Sequence, residues 1–311
     1  MSILEELRDA SRARQTRKSA ENWCKTEPDE YGKKGNYIEW CENHGKEFFP
    51  CPVEQMEAFL VHVYELGYSI TSVKHAKWAI DSIHKRMDLD PPGKDPRIEI
   101  IMSGIIRTKV QKGEGVINQK DALTIDHIKK VDFPGTPTGI RDKAMLLIGF
   151  AGGFRKSELA MVQIQDIKKI DSGINIELPF SKTNQQAEKV EKITIVYGSD
   201  PNWCPILSML KWLELVDQSS GPIFRSITRY GRIRNSLASA SIPVIIKKYA
   251  AMAGLDPVKI AGHSLRVGCA TYMLDKGVPA HIVQKHMRHK SFDSTQKYNR
   301  NQTGSKLEGV Y

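Results

Sequence analysis

Apolar residues recur at helical spacing through most of the chain. Over 53–66, Met56, Phe59, Leu60 and Val63 share one face and Gly67 follows as a stop, so the spacing predicts a helix. A second helix begins after Ser69, carries Val73, Trp78, Ile80 and Ile83 on its apolar side, and ends before the breaker cluster Pro91-Pro92-Gly93. A third apolar stretch covers 98–106, and the polar, glycine-bearing run 107–115 behind it reads as a linker. The second half opens with a helix start at Leu123-Thr124-Ile125-Asp126 and a buried helix over 140–150. Period-two alternation then takes over at 174–178 and 192–196, which predicts two strands joined by the polar connection 181–186, a hairpin. Helices are predicted again over 205–216, 243–252 and 264–276, the last stopped by Gly277. No internal repeat is present. The fold class expected is mainly α, with one small antiparallel sheet in the second half.

Composition narrows the class. The 311 residues are 40% hydrophobic and 26% charged, values of a folded globular chain. The longest near-apolar run, 144–154, is too short to span a bilayer, and the amino terminus has mixed charges and no apolar core, so a membrane partner and a signal peptide are not expected. Five cysteines without a CxxC pair fit reduced thiols in the cytoplasm or, in a eukaryote, the nucleus. Cys41, His44 and Cys51 match no usual zinc spacing, and in the set His281, His286 and His289 the five-residue first step puts that pair on different helix faces, so no metal is expected.

The net charge of +10 is unevenly spread. Residues 1–110 hold 17 basic and 18 acidic side chains, whereas residues 111–311 hold 29 and 18. A positive field confined to one half implies a polyanionic partner, with nucleic acid the first candidate.

Three clusters in the basic half carry candidate chemistry. Gly152-Gly-Phe-Arg155-Lys-Ser-Glu158-Leu is a glycine turn opening a helix with Arg155 at its start, where a cation opposes the helix dipole and suggests an anion nearby. His263-Ser-Leu-Arg266-Val-Gly is the second. In the third, His289 is followed nine residues later by Tyr298, within 288–300. Singly, each has an ordinary structural explanation.

Together, in this order and spacing, they resemble the boxes of the tyrosine site-specific recombinases, the phage integrase family, and HSLRVG is similar to the Cre-type members in particular. Lys182, in the predicted hairpin SKTNQQ, is similar to that family's mobile lysine, and GYSITSVKHAKWAIDSIH over 67–84 is similar to its core-binding domain. The resemblance covers roughly 35–300. Phe154 stands where the family more often has an aliphatic residue, a variation of packing. The implied organisation is a flexible segment 1–34, a helical DNA-binding domain over 35–110, a linker over 111–120 and a catalytic domain over 121–311.

The resemblance implies Tyr298 as nucleophile, Arg155 and Arg266 as phosphate ligands, His263, His289 and Lys182 as hydrogen-bonding or proton-transferring groups, and Glu158 as support. The residue types suit the reaction. A tyrosine hydroxyl, with a free pKa of about 10, attacks phosphorus and leaves again when the step reverses. Planar guanidiniums bind phosphate oxygens through two parallel hydrogen bonds without changing protonation. Fixed cations of this kind leave no step that needs a metal, and conserving the ester energy leaves none that needs a nucleotide. No cofactor is therefore expected.

Partners follow from the same likeness: double-stranded DNA with inverted-repeat core sites, and a homotetramer on DNA formed from monomers or weak dimers. Two domains would clamp the duplex. Thr71, Ser72, Lys74 and His75 begin the helix aimed at base edges in the major groove. Arg225, Arg229, Arg232 and Arg234 form a basic run expected to contact phosphates. Thirteen residues follow Tyr298, a short tail for linking neighbouring subunits, and the amino-terminal part is short for an additional arm-site domain. Two rivals remain in view, a relaxing enzyme of the type IB topoisomerase kind and a DNA-binding protein without catalysis. The intact set Arg155, Lys182, His263, Arg266, His289 and Tyr298 argues against the second.

Overall fold

The computed structural model describes residues 20, 22–27, 34–114, 120–178 and 191–298, and the chain divides into two compact units, Met1–Asn118 and Gln119–Tyr311. No helix among the described residues is long and apolar enough to cross a membrane.

The first unit is helical, with α1 (Asn36–Asn43), α2 (Val53–Glu65), α3 (Ile70–Arg86) and α4 (Pro96–Gln111) around one apolar core. Local chemistry sets the starts. Ser69 caps α3 by accepting from the Ser72 amide at 3.1 Å, and Asp95 caps α4 ahead of Pro96, whose fixed φ suits a first helical position. Three sequence expectations change here. Trp78 is not on the buried face of α3: the small residues Ala76 and Ala79 join Val73, Ile80 and Ile83 against the core, and the indole stays 37% exposed. The 107–115 run is not all linker, because α4 continues to Gln111 and its Lys109, buried on the helix, pairs with Glu114 at 2.8 Å. The segment 1–34 is not wholly a loose lead either, since Ala20, Trp23 and Cys24 are buried in the core and the Trp23 ring meets Phe59 edge-on at 6.1 Å.

In the second unit, α5 (Ile125–Lys129) precedes α6 (Pro137–Ala151), which is capped by Thr136 and buries Ala144 through Gly149. The short α7 (Lys156–Met161) leads to a three-stranded antiparallel sheet of β1 (Ile167–Ile170), β2 (Gly173–Leu178) and β3 (Glu191–Val196), in the order β1-β2-β3. Register pairs Ile174 with Ile195 and Ile176 with Ile193, so four isoleucines on one face enter the core. The two strands expected from the alternation are present and pair antiparallel, the expected connection 181–186 lies outside the described residues, and β1 adds an edge strand that the pattern did not reveal. Then come α8 (Pro205–Val216), α9 (Ser241–Met252), α10 (Ser264–Asp275), α11 (Ala280–Met287) and α12 (Phe292–Gln296). The result is the mainly α fold with one small antiparallel sheet that the sequence indicated.

Two further clusters lie in this unit. Asp142 on α6 accepts from Arg141 at 2.6 Å and from the Tyr249 hydroxyl at 3.0 Å, all three groups being buried. A smaller apolar cluster of Cys269, Ala270, Leu274, Val283 and Met287 joins α10 to α11, and the Tyr298 ring packs against it. All five cysteines are free and buried.

Candidate active site

The first box is a turn between α6 and α7. Gly153 has φ 53°, and a Cβ there would lie 2.7 Å from Met287 Sδ, so only glycine lets this turn press against α11. Arg155 follows as the N-cap of α7. Its amide donates to Glu158 Oε2 at 2.9 Å and its guanidinium Nη1 donates to Glu158 Oε1. The Glu158 side chain is 1% exposed. Burial pushes its carboxyl pKa up, but Arg288 and then Arg155 more than offset this, and the net position is below the usual carboxylate range. Glu158 is thus an ionised carboxylate that holds two arginines.

The second box lies at the start of α10. His263 is the N-cap residue, exposed to solvent, and Arg266 follows about one turn later with its side chain buried. Arg266 donates from Nη1 to Gly153 O at 2.6 Å and from Nη2 to Met287 O, which ties α10 to the first-box turn and to the end of α11. Burial, then the charges of Arg155 and Arg288, pull its pKa down to about 10, so it remains cationic at neutral pH. Its position relative to α5 depends on Gly268. A Cβ at that residue would lie 2.0 Å from Leu123 O, where the chain runs close to α10 and Leu123 N donates to Ser264 O at 3.0 Å.

The third cluster follows α11. His289 Nδ1 lies 2.9 Å from Thr295 Oγ1, and its ring is stacked on Tyr298 with 5.6 Å between centroids and 15° between planes. Burial first, then Arg266, Arg155 and Arg288, lower the imidazole pKa to about 4. Tyr298 is partly buried and lies within electrostatic reach of Arg266. Arg155, Glu158, Arg266, His289 and Tyr298, separated by up to 143 residues in the chain, therefore occupy one neighbourhood. Lys182 lies outside the described residues, between β2 and β3.

Two neighbours of these side chains were not singled out in the sequence. Arg288 donates from Nη2 to Glu158 Oε2 at 2.8 Å, and Thr295 holds His289. The sequence signal for Arg288 was the absence of glycine where α11 has to stop. Thr295 gave no signal beyond lying three residues before Tyr298.

The expected DNA-contacting residues divide. On α3, Thr71, Lys74 and His75 are exposed on one face, and Ser72 is partly buried beside the cap, its hydroxyl 3.0 Å from Ser69 Oγ. Arg229, Arg232 and Arg234 are exposed on a small hairpin bridged at Ile227 and Ile233, with Tyr230 at its tip 80% exposed and Arg229 over its ring at 4.6 Å. Arg225 does not belong with them. It is 4% exposed, and its three donor groups reach Pro222 O, Gln218 Oε1 and Ser220 O at 3.0, 2.6 and 3.0 Å. A guanidinium engaged in this way pins the loop and is unavailable to a phosphate, which corrects its reading as a phosphate contact. Among the described residues no three potential metal ligands gather. His44 Nδ1 instead faces Trp40 O at 2.7 Å and His286 Nε2 faces Ala151 O at 2.9 Å.

Comparison with known proteins agrees with this architecture. The model of the phage integrase family matches residues 117–304. An integrase/recombinase xerD homolog from Selenomonas ruminantium is 32% identical over 269 residues, spanning 85% of this chain and 77% of that protein. The tyrosine recombinase XerA of Pyrococcus horikoshii is 24% identical over 252 residues, spanning 81% of this chain and 77% of that one. Among solved structures, XerH site-specific recombinase bound to a palindromic difH substrate superposes with a TM-score of 0.57 at 15% identity, over 88% of this chain and 76% of that chain. The Tn1549 transposon integrase in complex with circular intermediate DNA gives 0.54 at 12% identity, over 88% and 90%. At such identities the superpositions establish the fold. The class is that of the integrase-type DNA strand transferases that use tyrosine. The chain belongs to the phage integrase family.

Proposed function

We propose that this chain is a site-specific recombinase that cuts and rejoins DNA through a 3′-phosphotyrosyl link on Tyr298, with Arg155, Lys182, His263, Arg266 and His289 as its catalytic partners. The observation that carries the reading is the stacked His289–Tyr298 pair beside the guanidiniums of Arg155 and Arg266, with Glu158 as the carboxylate paired to Arg155, an arrangement that gathers positive charge beside a hydroxyl.

The reaction follows from that chemistry. Tyr298 Oη attacks phosphorus as its proton passes to solvent or to His263, and the bond from phosphorus to O5′ breaks. Arg155 and Arg266 meet the negative charge on the non-bridging oxygens, and His289 donates a hydrogen bond to one of them. Lys182 gives the departing 5′ oxygen its proton. The 5′ hydroxyl of a second duplex then attacks the phosphotyrosyl bond, which restores the phenol and leaves the number of phosphodiesters unchanged. Four protomers on two inverted-repeat sites would perform the two exchanges in turn through a Holliday junction. Thr71, Ser72, Lys74 and His75 read the site, and Arg229, Arg232 and Arg234 hold phosphates.

A duplex nicked next to the cleavage site tests this, since the short strand diffuses away and traps the covalent intermediate. Wild-type protein accumulates a 3′-linked adduct and Tyr298→Phe does not. No Tyr298-dependent adduct on any inverted-repeat substrate would remove the reading. Recombination of a two-site plasmid, as against relaxation of a one-site plasmid, separates strand exchange from topoisomerase activity.

A further inference from the structure

Arg288 has no place in the reaction just described, yet its side chain reaches Glu158, the carbonyls of the α6–α7 turn and the first residue of β3. It ends α11 with φ 55° and ψ 45°, a left-handed backbone in which a Cβ crowds the carbonyl and where glycine or asparagine is the usual occupant. Such a conformation persists where side-chain contacts fix it. Those contacts are present. The side chain is 7% exposed, with Nη2 donating to Glu158 Oε2 at 2.8 Å and Nη1 to His286 O at 3.1 Å and Gly152 O at 3.3 Å. Nε lies 3.5 Å from Oε2 of Glu191, the first residue of β3, and the guanidinium sits 5.9 Å from the centre of the Phe154 ring.

We propose that Arg288 is a positioning residue for strand cleavage: it fastens Glu158, and through it the Arg155 guanidinium, to the segment that carries His289 and Tyr298. The proposal rests on the roles assigned above to Arg155 and Tyr298. Glu158 accepts from Arg155 Nη1 on one oxygen, and from the Arg155 amide and Arg288 Nη2 on the other. A carboxylate gripped from two sides has its plane fixed, and that plane sets where the Arg155 fork points. Because Arg288 immediately precedes His289, movement of the nucleophile-bearing segment away from the α6–α7 turn would release Glu158 at the same time. Phosphate activation and delivery of the tyrosine are then linked through one side chain.

The same placement acts on His289 electrostatically. The charged and titratable groups facing that ring are Arg266 from α10, Arg155 from the α6–α7 turn, Arg288 from its own segment, and the stacked phenol of Tyr298. All three charged groups are positive, so removing Arg288 lets His289 take a proton at higher pH.

The test uses the full-length protein, the nicked duplex, and the variants Arg288→Gly, Arg288→Met and Arg288→Lys. Glycine suits the left-handed backbone, and a thermal melt checks that each variant is folded at the assay temperature. At saturating DNA, adduct formation by Arg288→Gly slows about 100-fold, the scale for a catalytic group displaced by an ångström, while affinity for the duplex stays within about threefold. The acid-side inflection of its rate against pH moves upward. Arg288→Lys returns that inflection toward the wild-type position because it restores the charge, but recovers little of the rate, because an ammonium lacks the planar fork. Wild-type rate and pH profile in both Arg288→Gly and Arg288→Met overturn the proposal. So does a rate loss that disappears on cooling well below the melting transition, which marks a merely structural tie. If wild-type protein forms no Tyr298 adduct, the functional reading itself fails, and that outcome is visible without any variant.

Discussion

The imidazole of His289 is held from two sides, stacked on Tyr298 and tied at Nδ1 to the Thr295 hydroxyl 2.9 Å away. A neutral imidazole carries a single N–H. If Nε2 is to donate to a phosphate oxygen, Nδ1 must accept from Thr295, which is fully buried in α12 and has little freedom to do otherwise. Thr295→Val keeps the shape and deletes the donor. Adduct formation on the nicked duplex should fall about 10-fold to 100-fold, the range for losing a buried hydrogen bond that acts in the transition state. Thr295→Ser should retain most of the rate, and duplex affinity by mobility shift should not change in either. A Thr295→Val enzyme with the wild-type rate would show that the tautomer is set by something else.

A histidine whose pKa lies at about 4 is neutral at physiological pH, so a hydrogen bond donated by His289 would carry no net charge. Its folded pKa is below the ordinary value of 6.5, and the sign of the linkage follows. As pH falls from about 6.5 to about 4, the unfolded chain binds a proton that the folded chain does not, so stability declines across that window and levels off below it. His286, lowered chiefly by burial, adds to the decline. Titration of the His289 ring by NMR should show an inflection near 4 in the free protein, and an upward shift once a duplex phosphate offsets the surrounding guanidiniums. A free-protein inflection at the ordinary value would contradict the electrostatic picture of the site.

Much of this was legible in the sequence because caps and periodicity are local. Pro205 opens α8 and period-two alternation marks β2 and β3, so those elements needed no tertiary information. What escaped depended on partners far away in the chain. Ile167-Lys-Lys-Ile170 has no strand pattern of its own and becomes β1 only by pairing with β2. The helical end of α4 looked like a linker because the Lys109–Glu114 pair that anchors it is invisible to periodicity. Arginines in a run also look alike, and only the carbonyls around Arg225 distinguish it from Arg229, Arg232 and Arg234. The motifs that resemble the family's boxes were readable through their order and spacing, whereas Arg288 took on meaning only when Glu158 was found beside it.

Gly268 offers a test of how tightly the second box is set. An alanine Cβ would meet Leu123 O at 2.0 Å, a backbone atom that cannot rotate away, so α10 must shift. Overpacking of this kind destabilises by about 1–3 kcal/mol. Because Arg266 lies two residues earlier on the same helix, Gly268→Ala should lower the melting temperature and also slow cleavage at temperatures where the protein is folded. Slower cleavage without a stability loss, or the reverse, would separate the packing of α10 from the placement of Arg266.

Arg225 and Arg232 lie seven residues apart and should fail in opposite ways. Arg232 is exposed on the hairpin that ends in Tyr230, and a phosphate contact there would contribute to affinity by releasing counterions. Arg232→Ala should weaken binding to all duplexes alike and reduce the slope of log affinity against log salt by about 1, with no effect on melting. Arg225→Ala strips hydrogen bonds from the carbonyls of Pro222 and Ser220 and from Gln218. Leaving such acceptors unsatisfied costs about 1–3 kcal/mol, so the melting temperature should fall while the salt slope stays at the wild-type value. If Arg225→Ala instead lowers the salt slope at unchanged stability, its guanidinium must leave those acceptors for a phosphate when DNA binds.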